Sequence, residues 1–477
     1  MRAVPDARQS PVPRPRRLAF RLTLLLYVVT ISIAGVRKAS GLPASAESVV
    51  YLVVGAMYLL LLPGIRTFVR RMPLYLPAWL ALLTFWCAVE AFIPRIPLSM
   101  ATLGLVSYVF FVPLVYIGAE LMSTDIGAAR TLRFVAIAGG LLGLGATVSA
   151  VLGQSAPAIL QPITPGVGLH SFSSGNIYLA PSVFVSAEQA AEGLLISLFA
   201  LMALGYLPSG RMGRTPIAIL GTLIAVGLFA TQRRADLVVA ILGVASVVLI
   251  GRLGAGGKDG PDRPRAHGKA GFALALGSIG SLALLYFLGA SRILPFLTSR
   301  SSGISALTLM FSPINPNSLT GQGTGTSTQG AGVFGATAIT GISNYQHYAG
   351  YIVNGRAFIT AEGGLTKTWL ELGIIGVLLY GGVFFAALGP PVYALRRLDG
   401  VGRALTVLAL ALGVVFLKGH ASLDDPLVQP LFWLAVGGVW GRLRQPASSS
   451  RPGVSRPVHQ APAGGSLQSP TPRTPLG

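Results

Sequence analysis

The feature that most constrains this chain is the recurrence of apolar runs, each about 20 residues long, from residue 18 nearly to its end. A helix rising 1.5 Å per residue needs about 20 apolar residues to cross the hydrocarbon of a bilayer, and it satisfies its own backbone while doing so. On that rule the spans fall at about 18–36, 48–65, 74–93, 99–121, 133–153, 188–206, 215–231, 235–251, 271–290, 366–389, 404–418 and 427–441. The expected fold class is therefore all-α: a polytopic membrane helical bundle of about 12 transmembrane helices, with a large outer loop between helices 9 and 10. Composition agrees, because 52% of the 477 residues are hydrophobic and only 11% are charged, too few to cover a soluble chain of this length.

The charge that remains is strongly one-sided. Lys and Arg number 36 against 15 Asp and Glu, a formal charge of +21. The positives are not gathered into a nucleic-acid stripe but dealt out in short clusters beside apolar segments, the pattern of membrane topology. With the N-terminus in the cytoplasm, the inner connections hold Arg66, Arg70 and Arg71; Arg130 and Arg133; Arg211 and Arg214; Arg252, Lys258, Arg263, Arg265 and Lys269; and Arg396, Arg397 and Arg403. Arg442 and Arg444 open the tail. Both termini are expected in the cytoplasm, and no nucleic-acid partner is expected. The basic stretch "RPRRLAFR" precedes the first run without an obvious cleavage site, so that run reads as a retained helix.

The chain then divides into residues 1–17, a disordered basic tail; 18–290, helices 1–9; 291–365, the large extracytoplasmic loop; 366–441, helices 10–12; and 442–477, a disordered cytoplasmic tail. The single cysteine, Cys87, lies within an apolar run, which excludes a disulfide framework and a thiolate metal site. No metal and no cofactor are expected.

Chemistry-bearing residues gather at the outer connections. In "ATQRRADLVV" (230–239), Arg233 and Arg234 sit at a turn almost too short to carry them into water. They read either as side chains snorkelling to headgroups or as an anion site, since a guanidinium fork matches phosphate bidentately. The stretch "LTGQGTGTSTQGAGVFGA" (319–336) is Gly- and Thr-rich, which suits a flexible surface loop or a backbone that approaches a ligand closely. It is no P-loop, for no GKS or GKT follows.

Downstream, "NYQHYAGYIVNGRAFITAEGGL" (344–365) supplies His347, Arg356 and Glu362 just before a span. Glu362 fits a general base or a carboxylate complementing a helix N-terminus; His347 fits a catalyst or a packed histidine. Arg292 is a further cation on the same loop. Glu371 should lie about two turns into its helix, where an acid is costly unless paired or turned to the bundle interior. In "KGHASLDDP" (418–426), Lys418, His420, Asp424 and Asp425 form either a site or an ordinary turn.

Taken in order, these segments resemble the O-antigen ligase and Wzy-type polysaccharide polymerase superfamily of bacterial inner membranes. "TQRRADLV" is similar to that family's Ser-Arg-small turn, with Arg233 matching its arginine and Gln232 in place of its serine. "GQGTGT" is similar to the Gly-rich stretch early in its large periplasmic loop, and "EGGLTKTWLELGIIG" (362–376) to its His-Asn to Glu-Leu-Gly-x-x-Gly segment. The resemblance covers most of residues 185–441. Where the ligases usually carry His-Asn this chain has Glu362 and Gly363, a departure that favours a polymerase.

The resemblance implies a metal-independent, inverting transfer of a glycan from undecaprenyl diphosphate to a glycan acceptor. Arg233, Arg234, Arg356 and Arg292 would bind the diphosphate, and Glu362 or His347 would take the acceptor proton. Membrane lipids and a chain-length regulator or flippase are the other partners it implies.

Two other classes compete. A transporter or flippase of lipid-linked oligosaccharide would line a path with polar groups through both halves, yet the first five helices offer only Glu90 and Glu120 as acidic interior candidates. A metal-using polyprenol-phosphate sugar transferase would place paired carboxylates in its first outer loop, which here holds Arg37, Lys38 and Glu47.

Overall fold

The computed structural model describes residues 14–42, 48–69, 75–92, 96–161, 169–172, 175–184, 186–207, 212–233, 236–245, 319–327, 337–342, 345–353, 356–359, 364–395, 397–418 and 427–444. The helices are α1 (Arg14–Ser40), α2 (Val49–Val69), α3 (Tyr75–Phe92), α4 (Leu98–Val109), α5 (Leu114–Leu121), α6 (Asp125–Leu152), α7 (Ala187–Leu204), α8 (Arg214–Ala230) and α9 (Asp236–Ala245). After the large loop come α10 (Gly364–Tyr393), α11 (Gly400–Lys418) and α12 (Val428–Leu443). The predicted spans fall on these helices, with 99–121 divided between α4 and α5, only 236–245 of the span 235–251 described, and 271–290 outside the described residues.

Among the described residues, six helices are long and apolar enough to cross a membrane. Their outward faces carry large apolar side chains in the open, such as Phe85 at 67% and Phe385 at 76% exposure, as a surface solvated by lipid requires.

Local sequence sets the ends of these elements. Thr124 caps α6 by accepting the Gly127 amide at 3.1 Å, and Ser186 caps α7 by accepting that of Gln189 at 3.3 Å. Pro113 divides the span 98–121 into α4 and α5, because it supplies no N–H and disfavours helix in the residue before it. The Phe110 carbonyl at that break accepts the Tyr58 hydroxyl at 2.6 Å.

The interior belongs to α7 and α12. Every residue from Val428 to Trp440 is buried. α7 is long enough to span, whereas α12, at 16 residues, is shorter; both carry small residues that let neighbouring helices pack closely. Gly437 of α12 lies directly on the Val115–Ala119 backbone of α5, and an aromatic cluster of Tyr380, Phe384, Phe416, Phe432 and Trp433 joins α10, α11 and α12.

Charged groups expected on one side of the membrane do meet. Arg442 reaches both Asp125, at the start of α6, and Asp399, just before α11. At the opposite ends of the helices, Lys38 donates to the Ser182 and Phe184 carbonyls at 2.9 and 2.7 Å. Glu90 is buried, as expected of an interior acid, whereas Glu120 is exposed.

The bundle is helical, as expected, and two connections outside it add short strands. The first long connection carries an antiparallel pair, β1 (Leu169–Phe172) and β2 (Gly175–Tyr178), with Leu169 opposite Tyr178. The second carries a three-stranded meander of β3 (Thr337–Ile342), β4 (Tyr345–Val353) and β5 (Arg356–Ile359). The second stretch is rich in Thr, Tyr, Ile and Val, and in both the strands are separated by Ser, Asn or Gly, the chemistry of hairpins.

Candidate functional site

The most polar part of the interior is built where the Gly-rich segment 319–327 enters the bundle. Sequence allowed this segment to be a surface loop. It is instead packed inside, with Gly321 and the run Gly323–Ser327 all buried. It lies in a break in α10 at Gly373, whose φ of 65° and ψ of −169° interrupt the helix. Only glycine adopts that conformation without strain, and a side chain there would also meet the Leu319 carbonyl.

Breaking a helix frees carbonyls that must find donors. Leu370 O accepts the Gln322 amide at 2.7 Å, Glu371 O accepts the Gly323 amide at 3.2 Å, and Leu372 O accepts the Trp86 indole at 2.8 Å. On its other flank the segment touches α3 and α4. Thr324 Oγ1 donates to Cys87 O at 2.7 Å, and Gly325, at φ 86°, lies backbone to backbone against Met100 and Gly104.

Glu371 is the centre of this arrangement and is fully buried. One carboxylate oxygen accepts the Ser327 amide at 2.8 Å; the other accepts the Tyr108 hydroxyl at 3.0 Å. Lys367, one turn earlier and equally buried, places its ammonium 3.8 Å from the first oxygen and 5.6 Å from the centre of the Tyr108 ring. The ammonium also donates to Ser107 Oγ at 3.3 Å, and Gln429 of α12 donates to the Ser107 carbonyl at 2.8 Å.

The expectation that Glu371 must be paired or inward-facing is met on both counts. Lys367, Tyr108, Ser107 and Gln429 were not singled out by sequence. The one visible signal was the four-residue spacing of Lys367 and Glu371, which puts them on one helix face.

The predicted arginine turn is a separate feature. Arg233 follows α8 through a tight turn in which Gln232 has φ 56°, and the Arg233 carbonyl accepts the Leu237 amide at 3.2 Å to begin α9. Its guanidinium lies 3.1 Å from Glu188, in the first turn of α7, and 3.9 Å from Asp236, in the first turn of α9. Each carboxylate also complements a helix N-terminus, so the acids have two reasons to be there. Neither snorkelling nor anion capture anticipated that Arg233 would be held by two carboxylates of its own chain. Arg234 lies outside the described residues.

The remaining candidates are only partly placed. His347 lies on β4, whose pairing to β3 shifts register, and Arg356 opens β5 opposite Val353. The two therefore share one sheet. Glu362, Arg292, His420, Asp424 and Asp425 lie outside the described residues. Among the described residues no group of three or more His, Cys, Asp or Glu is placed to hold a metal ion. No protein-family model matches this chain, and no curated protein matches it.

Proposed function

We propose that this chain is a membrane glycosyltransferase that polymerises or ligates undecaprenyl-diphosphate-linked oligosaccharide on the outer face of a bacterial cytoplasmic membrane, for O-antigen, capsule or exopolysaccharide. The observation that carries the reading is the interlock of two motifs distant in sequence. "GQGTGT" and "ELGIIG", each of which resembles a segment of the O-antigen ligase and polymerase superfamily, are joined through Gln322, Gly323 and Ser327 on one side and Leu370 and Glu371 on the other. Motifs that must be held in register across a long loop are expected of a site whose parts come from both.

In this reaction the acceptor hydroxyl attacks the anomeric carbon of the donor sugar and its proton passes to Glu362 or His347. The carbon–oxygen bond to the diphosphate breaks, and undecaprenyl diphosphate leaves with the bonding pair. Arginine is suited to the charge that grows on the leaving group, because it stays ionised and offers paired donors. Arg233, held in one orientation by Glu188 and Asp236, is the first candidate; Arg234, Arg356 and Arg292 are the others. Both termini are assigned to the cytoplasm on the distribution of basic residues.

The test is the profile of surface and secreted polysaccharide from cells lacking the protein, complemented with wild type or Arg233→Ala. Loss of long chains with accumulation of single lipid-linked units, restored by wild type alone, is the expected result. Activity abolished by chelators would replace this reading with a metal-dependent transferase.

A second reading, a transporter or flippase of lipid-linked oligosaccharide, is favoured by the break in α10 beside buried charges, a geometry that transporters use at their substrate sites. Normal polymer length with lipid-linked units trapped on the inner leaflet would support it.

A further inference from the structure

Glu90 is the residue that the site described above does not use. It stands near the end of α3, one turn after Cys87, and is 1% exposed. Neither carboxylate oxygen makes a full hydrogen bond, and the Gly321 backbone amide, directed at the group, is its one weak donor among the described residues. Among the described residues the elements around α3 supply few charges. Cys87 lies within electrostatic range of Glu90, Glu371 and Lys367, so these groups form one cluster, with Tyr108 of α4 joined to it through Glu371.

Among the described residues the cluster sets two carboxyl groups against one ammonium, and Lys367 is committed to Glu371, the acid on its own helix. A lone buried carboxylate costs several kcal/mol of lost solvation, and a protein keeps one within a membrane span where the charge is used.

We propose that Glu90 is a site for a single small cation, either a proton or a sodium-sized ion, and that the buried Gly-rich segment 319–327 is its cover. The shared chemistry is one unit of positive charge beside a carboxylate in apolar surroundings. The cover follows from the contacts, since Gly321 faces Glu90 while Thr324 is bonded to the Cys87 carbonyl. A cation on Glu90 cancels the excess negative charge and lets the segment stay seated. An empty, ionised Glu90 draws water in beneath it.

The experiment uses the full chain in native vesicles and in detergent. Dicyclohexylcarbodiimide adds to carboxyl groups that carry a proton in apolar surroundings, and peptide mass spectrometry locates the adduct. An adduct on Glu90 that is lost from mildly acidic to alkaline buffer, irrespective of sodium, identifies the proton. An adduct suppressed by sodium chloride but not by choline chloride at one fixed pH identifies the metal ion. Absence of an adduct on Glu90 under every condition, in wild-type protein, overturns the site.

The cover is tested separately with Cys87, the only cysteine in the chain. At an alkaline pH and without sodium, where Glu90 is empty by either reading, maleimide labelling of Cys87 should be slower in Glu90→Gln, whose neutral amide mimics the loaded site, than in wild type. Equal rates in the two proteins overturn the cover, and wild-type labelling across sodium concentrations provides the same readout should the variant fail to fold.

Discussion

Glu371 accepts the backbone amide of Ser327 at 2.8 Å across 44 residues of sequence, which fixes the Gly-rich segment to the broken helix from within. The same carboxylate neutralises Lys367, so a single side chain serves both the backbone and a buried charge.

That double duty predicts a large loss on truncation. Glu371→Ala takes the carboxylate from the Ser327 amide and the counter-ion from the buried Lys367 ammonium, and should cost about 3–5 kcal/mol. Glu371→Gln keeps an acceptor and should cost less. Removing both charges, with Lys367→Met and Glu371→Leu together, should recover much of the loss. Thermal unfolding of wild type, each single charge removal and the double variant in one detergent measures the cycle; additive effects would show that the ion pair carries no coupling.

Two glycines of α10 should respond in opposite directions. Gly373→Ala forces a positive-φ, extended-ψ backbone essentially confined to glycine on a residue with a Cβ, about 1–3 kcal/mol before the collision with the Leu319 carbonyl is added. Gly381 has open space where a Cβ would stand, so it tolerates alanine and gains up to about 1 kcal/mol of helix propensity. The difference in unfolding temperature between the two variants is the measurement.

Arg233 should affect both stability and activity. Its pair with Glu188 is partly open to solvent, but Arg233→Ala also takes a counter-ion from the buried Asp236, so it should cost about 1–3 kcal/mol. On the proposed function, polymer length and yield in cells should also collapse, with Arg233→Lys restoring charge but not the two-pronged donor geometry. Unchanged polymer from Arg233→Ala would remove this arginine from the diphosphate site.

The two ends of the bundle should be labelled from opposite sides of the membrane. With Cys87 replaced by alanine, Asp399→Cys should react with an impermeant maleimide from one face only and Glu188→Cys from the other. The ion pairs of Arg442 and Arg233 assign these positions to opposite ends of the helices. The basic-residue pattern further expects position 399 to be the cytoplasmic one.

Much of this protein was determined by its sequence. Apolar length and periodicity mark the spans because a backbone in lipid has no partner but itself, and that constraint acts locally, helix by helix. For the same reason the cost of an acid in a span made it legible that Glu371 needed a partner.

What only the tertiary structure decided is which groups meet. "GQGTGTS" reads as a surface loop because its composition is polar and Gly-rich, yet those glycines let its backbone press against α4 and the broken α10, and the freed carbonyls at Gly373 become its hydrogen-bond partners. The centrality of α12 was hidden too, since its apolar run reads as one more span and only packing shows that protein encloses it. Arg233 could be located at an outer turn, but not its grip by Glu188 and Asp236, because those carboxylates arrive from two other helix starts. Each of these depends on distance in space, which a chain acquires only when its helices have packed.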